Sequence, residues 1–109
     1  MRLRGMVLLI VGLGCVSCAK SEEEIQEEFD AIVAESNACS DASECVHASA
    51  GCPLGCAVPV NRARKAYVEE KARELIEDYE RWGRGCAHDC GPPRPLECAA
   101  GRCQAIISP

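Results

Sequence analysis

Ten of the 109 residues are cysteine, and a thiol has a wide choice of chemistry: it can ligate a metal, carry electrons or form a crosslink. Cys15 and Cys18 close an apolar leader, while Cys39, Cys45, Cys52, Cys56, Cys86, Cys90, Cys98 and Cys103 belong to the body. Cys86-Ala87-His88-Asp89-Cys90 gathers two thiols, an imidazole and a carboxylate, a donor set suited to zinc, with His47 as a further candidate ligand. Zinc sites usually space their cysteines about two to four apart in a reducing compartment, whereas an exported chain oxidises them. No metal site is therefore expected, and metal binding stands as a second alternative. Redox enzymes of the common type use Cys-x-x-Cys with a thiolate at a helix start, and neither Cys52 with Cys56 nor Cys86 with Cys90 has that spacing. Two histidines and no recognisable grouping of serine, histidine and acid leave little acid–base machinery, so neither catalysis nor a cofactor is expected. Disulfides are the expectation for all eight body cysteines.

The compartment follows from the first residues. Met1-Arg2-Leu3-Arg4-Gly5 gives a short positive end, Met6 to Gly14 an apolar stretch too brief for a membrane span of about 20 residues, and Cys15-Val16-Ser17-Cys18 a small-residue close. This reads as a secretory signal over residues 1–17, followed by a single disulfide-stapled extracytoplasmic domain over residues 18–109. Small residues running into cysteine make this end resemble a bacterial lipoprotein signal, in which the cysteine is diacylated and becomes the mature N-terminus. The match is imperfect, because that family prefers Leu three positions before the cysteine, where Cys18 has Cys15 and Cys15 has Gly12. Lipidation at Cys18 leaves eight cysteines that can all pair, whereas lipidation at Cys15 leaves Cys18 as an odd thiol; Cys18 is favoured and Cys15 is the alternative. Ala19 and Val16 both differ from the Asp that in this family favours inner-membrane retention, so the resemblance implies a cell-envelope address at the outer membrane or cell surface.

Loss of Arg2 and Arg4 with the leader leaves ten basic residues against seventeen acids, a formal balance of −7. Nucleic acid is excluded as a partner because phosphate binding needs a basic face. Membrane lipid is reached through acyl chains instead, and more than one chain on a cysteine gives stable anchoring. About ninety mature residues make one domain at most. With Phe29, Tyr67, Tyr79 and Trp82 as the aromatics, the core is thin, and a closed loop of tens of residues contributes roughly 3 to 4 kcal/mol per bridge.

The elements that must position the sulfurs define a small α+β fold. Ser21 with Glu24 is a capping-box signature, and Ile25, Phe29, Ile32 and Val33 form one apolar stripe, predicting a helix over about 21–36. Glu44 to Ala48 and Ala57 to Val60 read as short antiparallel strands about a tight Gly51 to Gly55 loop, with Pro59 confined to an edge or an end. Asn61 is the N-cap of a second helix over about 62–82, with Gly83 ending it and Val68, Ala72, Leu75, Ile76, Tyr79 and Trp82 on one side. Gly91-Pro92-Pro93-Arg94-Pro95 is a stiff extended spacer, and Leu96 to Ile106 a hairpin turning at Ala100-Gly101 whose cysteines tie back to the first strand or the loops.

Geometry restricts the bridges without fixing them. The second helix, at about 1.5 Å per residue, is roughly 30 Å long, and Cys52 and Cys56 precede it while Cys86 and Cys90 follow. Links running fully straight reach at most about 30 Å, so Cys56 to Cys86 is strained and bridges to Cys39, Cys45, Cys98 or Cys103 are easier. Sequence alone leaves about a hundred pairings open.

The Gly91 to Glu97 segment, held between Cys90 and Cys98, is the best exposed loop for docking, because braced loops lose little entropy on binding. Arg94 suits the acidic pocket of a trypsin-like protease, giving a small inhibitor-like binder as the first alternative, although Pro95 obstructs the usual pose. Arg62, Arg64 and Lys65 crowd the second helix's start, where the macrodipole disfavours cations, so either a compensating anion or plain solvation of exposed charges is expected. Glu22 to Glu24 of the first helix are the simplest source, and a bound anion or acidic partner the sharper one. The body resembles cysteine-rich bacterial lipoproteins through Gly51-Cys52-Pro53-Leu54-Gly55-Cys56, the following helix and Gly101-Arg102-Cys103, a resemblance that implies no activity. The expectation is a membrane-anchored structural or protein-interaction module with an envelope or extracellular protein as partner.

Overall fold

The computed structural model describes residues 20–107 other than Trp82, Arg84 and His88. The signal segment, the lipidation candidates Cys18 and Cys15, the last residue of the second apolar stripe and the histidine of the metal reading lie outside the described residues.

Helix α1 spans Glu22–Ser36 and begins as its sequence dictates: the Glu24 amide donates to Ser21 Oγ at 3.1 Å, and the Ser21 amide donates to Glu24 Oε1 at 2.8 Å. This capping box satisfies two amides that the helix cannot, and Glu22, Glu23 and Glu24 complement the positive end of its dipole. Strands β1 (Cys45–Gly51) and β2 (Gly55–Asn61) pair antiparallel, with Cys45 opposite Asn61 and His47 opposite Pro59. Pro59 lies in a two-stranded sheet, where every strand is an edge. The turn between them closes with the Leu54 amide donating to the Gly51 carbonyl at 2.7 Å, and it contains a cis Cys52–Pro53 peptide. Gly51 has φ +103, and a Cβ there would sit 2.9 Å from Ile76 Cδ1, so only glycine lets the turn lie against the next helix.

The Asn61 side chain accepts from the Ala63 amide, but Arg62–Arg64 forms a 3₁₀ turn before helix α2 runs from Lys65–Glu80. Gly83, with φ +80, donates to the Glu80 carbonyl and closes the helix. After residues 85–95, strands β3 (Leu96–Ala99) and β4 (Arg102–Ala105) form the second hairpin. Its turn is Ala100-Gly101, both with positive φ (53° and 76°), as a two-residue hairpin loop requires.

Three layers result. Ile25 and Phe29 of α1 and Val68, Ala72, Leu75 and Tyr79 of α2 pack with Ala48, Ala50, Leu54 and Val60 of the first hairpin, and Ile32, Val33 and Ile76 flank them. Alternation along β1 and β2 sends Val46, Ala48, Val58 and Val60 toward the helices, and Cys45, His47, Pro59 and Ala57 to the outer face. The second hairpin lies over the Cys45 end of that outer face. It is also drawn onto α1's end: the Cys103 amide donates to the Asn37 carbonyl at 2.8 Å and the Cys39 amide to the Gly101 carbonyl at 2.9 Å.

The disulfides are Cys39–Cys98, Cys45–Cys103, Cys52–Cys86 and Cys56–Cys90, with Cα separations of 6.0, 5.5, 5.8 and 5.7 Å. The C-terminal hairpin is tied to the first strand and a loop, as its sequence position suggested. The bridges that helix length made easier, from Cys52 and Cys56 to Cys39, Cys45, Cys98 or Cys103, do not form, and both cysteines instead reach the far end of the helix. Strand β2 is itself the straight link: seven extended residues cover about 23 Å, close to the roughly 24 Å of a sixteen-residue helix. It runs back along α2 and delivers the hairpin tip to the helix's far end.

Candidate functional site

The outer face of the first hairpin, where the second does not cover it, forms one wall of an open groove of about 390 Å³. His47, Ala57 and Pro59 line this wall, and Pro92, Pro93 and Arg94 line the opposite one. The Cys56–Cys90 bridge ties the two walls together at one end. Across the middle, His47 Nε2 donates to the Arg94 carbonyl at 2.8 Å, a contact that requires the proton on Nε2. At the far end, the Ile106 amide donates to the Pro95 carbonyl at 2.9 Å, and Cys98 is bonded to Cys39. Residues 91–95 have no helix or strand of their own, yet they are fixed at both ends and between.

The side chain of Arg94 is exposed and, among the described residues, makes no ion pair or hydrogen bond, whereas the other candidate binding residues are engaged elsewhere. Arg62 Nη2 donates to the Ser43 carbonyl at 2.6 Å. The Arg64 guanidinium lies 4.3 Å from the centre of the Tyr67 ring, with Nε 3.4 Å from Ser36 Oγ. Lys65 pairs with Glu69 at 3.1 Å. The expected pairing of these cations with Glu22 to Glu24 is not found, because α1 and α2 pack antiparallel and α1's acidic start lies at the opposite end. Arg64 instead reaches the C-terminal end of α1, where a cation is favoured. Arg102 does the same, donating to the Ala34 carbonyl at 2.8 Å and to Asn37 Oδ1 at 2.6 Å. Helix α1 has no basic residue in its own last turn, so these cations from distant segments take that role.

Glu69 is held below its ordinary range, first by the hydrogen bond it accepts from the Ser49 amide at 2.8 Å and then by Lys65. Ser49 faces Ala57 in the register, and its amide points away from β2, so Glu69 covers an edge donor that β1 would otherwise expose.

The metal reading loses its thiolates to covalent pairing: Cys86 is bonded to Cys52 and Cys90 to Cys56. The sulfurs of Cys39, Cys45 and Cys103 lie within 4.8 Å of one another, and all three are likewise in disulfides. Asp89 is exposed, and His47 is occupied by the Arg94 carbonyl.

Of the Gly91 to Glu97 segment singled out in the sequence, Gly91 to Arg94 line the groove, and the wall they face was not foreseen. The signal available was the alternation of β1, which puts His47 on the side away from the helices. Among the described residues no helix is long and apolar enough to cross a membrane. Comparison with models of known families, with curated proteins and with solved structures finds no match to this chain.

Proposed function

We propose that the protein is a lipid-anchored module of the cell envelope, held on the outer membrane or cell surface through Cys18, with Cys15 as the alternative, and that it works by binding another envelope or extracellular protein. The observation that carries the binding role is the bracing of residues 91–95 by Cys56–Cys90, by Cys39–Cys98 and by the His47 contact to Arg94. A segment fixed before it meets its partner loses little conformational entropy on docking, so a modest contact area can suffice. Catalysis is not part of the proposal, since the two histidines leave little acid–base machinery and His47 is already committed to a carbonyl.

Substrate-like protease inhibition is the weaker reading. It requires the carbonyl of the anchoring arginine to enter an oxyanion hole, and the Arg94 carbonyl accepts from His47 instead. Pro95 follows directly, which obstructs the same pose.

Two measurements test the proposal. Metabolic palmitate labelling is expected to mark the wild type and Cys15→Ala but not Cys18→Ala; unlabelled wild type would refute the anchor. Crosslinking in intact envelopes is expected to yield one discrete adduct that Arg94→Glu diminishes. Retention of the same adduct in Arg94→Glu and in a Pro92→Gly/Pro93→Gly variant would move the interaction away from the groove.

A further inference from the structure

We infer that the groove receives an aromatic side chain with a neighbouring carboxylate, displayed by a protein partner; this rests on the binding role proposed above and gives it a chemistry. The walls argue for the ring. Pro59 stands on one side and Pro92 and Pro93 on the other, so both walls present rigid pyrrolidine rings. Proline brings no amide hydrogen that needs a partner, and its C–H groups beside the amide nitrogen carry partial positive charge that faces the negative face of an aromatic ring. A volume of 390 Å³ is near the small end of ligand sites, roughly 300 to 1,000 Å³, and fits one ring with its adjoining backbone. It is too small for a helix, whose diameter with side chains is about 10 to 12 Å.

The charges argue for the acid. The chain has seventeen acidic residues, and among the described residues none lines the groove. Arg94 lines the groove, and among the described residues its guanidinium has no partner. Among the described residues every other arginine is engaged: Arg62 by Ser43, Arg64 by Ser36, Arg73 by Glu70 and Glu77, Arg81 by Asp78, and Arg102 by Ala34 and Asn37. One uncommitted cation beside a cleft that no described acid lines selects an anionic group on the partner.

The probe is N-acetyl-tryptophan, an indole joined to one carboxylate, titrated into the isotope-labelled full chain in detergent and followed by amide chemical shifts. N-acetyl-tryptophan amide lacks the charge, and N-acetyl-aspartate lacks the ring. The acid is expected to give saturable shifts at His47, Ala57, Gly91 and Arg94, and to bind about three- to fivefold more tightly than the amide, with N-acetyl-aspartate giving none. Arg94→Ala is expected to erase the difference between acid and amide, and Arg94→Lys to restore most of it. Both variants should fold, because among the described residues this side chain makes no hydrogen bond or ion pair. Equal binding of acid and amide, shifts confined to another face, or no binding by either indole would overturn the inference. If the crosslinked partner is still captured in that last case, only the ring-and-acid chemistry fails and the binding role stands.

Discussion

The two ends of the first hairpin are stapled with the same number of disulfides and yet are built differently. At the Cys45 end, Cys45 and Cys103 are buried, and the bridges lie beside backbone hydrogen bonds from Cys39 and Cys103 that join the second hairpin to the end of α1. At the tip, Cys56, Cys86 and Cys90 are exposed, and the chain they hold over residues 85–95 has no regular structure among the described residues. Loop entropy does not separate the two ends: sequence separations of 58 and 59 against 34 give about 4 kcal/mol per bridge in either case. Packing separates them. One end uses its bridges to reinforce an ordered contact, and the other uses them in place of one, an arrangement that agrees with the binding role proposed for residues 91–95.

The largest expected effect comes from breaking the buried end. Replacing Cys45 and Cys103 together by alanine removes a bridge and opens space among buried atoms, a loss of about 4 kcal/mol or more. That approaches the whole margin of a small domain, about 5 kcal/mol at the low end, so urea titration should find the variant largely unfolded. Cys56→Ala with Cys90→Ala should cost less, about 4 kcal/mol at most, because those sulfurs are already in water and their loss opens no buried space. Its mark is local: limited proteolysis should cut within residues 85–95 while α1, α2 and the hairpins keep their hydrogen-exchange protection. If both pairs gave the same global loss and the same cleavage pattern, the contrast between the ends would be gone.

Smaller changes sharpen it. Gly51→Ala should destabilise by about 1 to 2 kcal/mol, since φ +103 is strained for any side chain and the new methyl meets Ile76 Cδ1. At the other end, Arg102→Ala removes charged hydrogen bonds to the end of α1 and should cost about 1 kcal/mol, moderated by solvent. The least effect is a pH dependence. Because the folded carboxyl of Glu69 titrates below its ordinary value of 4.5, its contribution is complete above that pH and fades as acid is added through the lower folded value. Melting curves of Glu69→Gln should therefore lie below wild type at neutral pH and converge with it in acid.

How much of this was legible in the chain depends on the range of the interaction. Ser21 with Glu24, the stripe from Ile25 to Val33 and the Ala100-Gly101 turn are local, and each marks an element that the structure contains. The start of α2 was less exact, because Asn61 caps a 3₁₀ turn that periodicity alone does not distinguish from helix. The disulfide partners were not legible, since they depend on β2 running back along α2. The same holds for Arg64 and Arg102, whose acceptors on α1 are 28 and 68 residues away. His47 meets Arg94 across 47 residues, so the groove exists only once the third layer is in place.

The central claim is that covalent crosslinks hold this body together and suspend residues 91–95 between its layers. Peptide mapping of native protein under non-reducing conditions, with free thiols trapped at the outset, tests it directly. The expected result is Cys39–Cys98, Cys45–Cys103, Cys52–Cys86 and Cys56–Cys90, with no trapped thiol in the body. Recovery of trapped thiols at Cys86 and Cys90, or of local Cys52–Cys56 and Cys86–Cys90 loops, would contradict it.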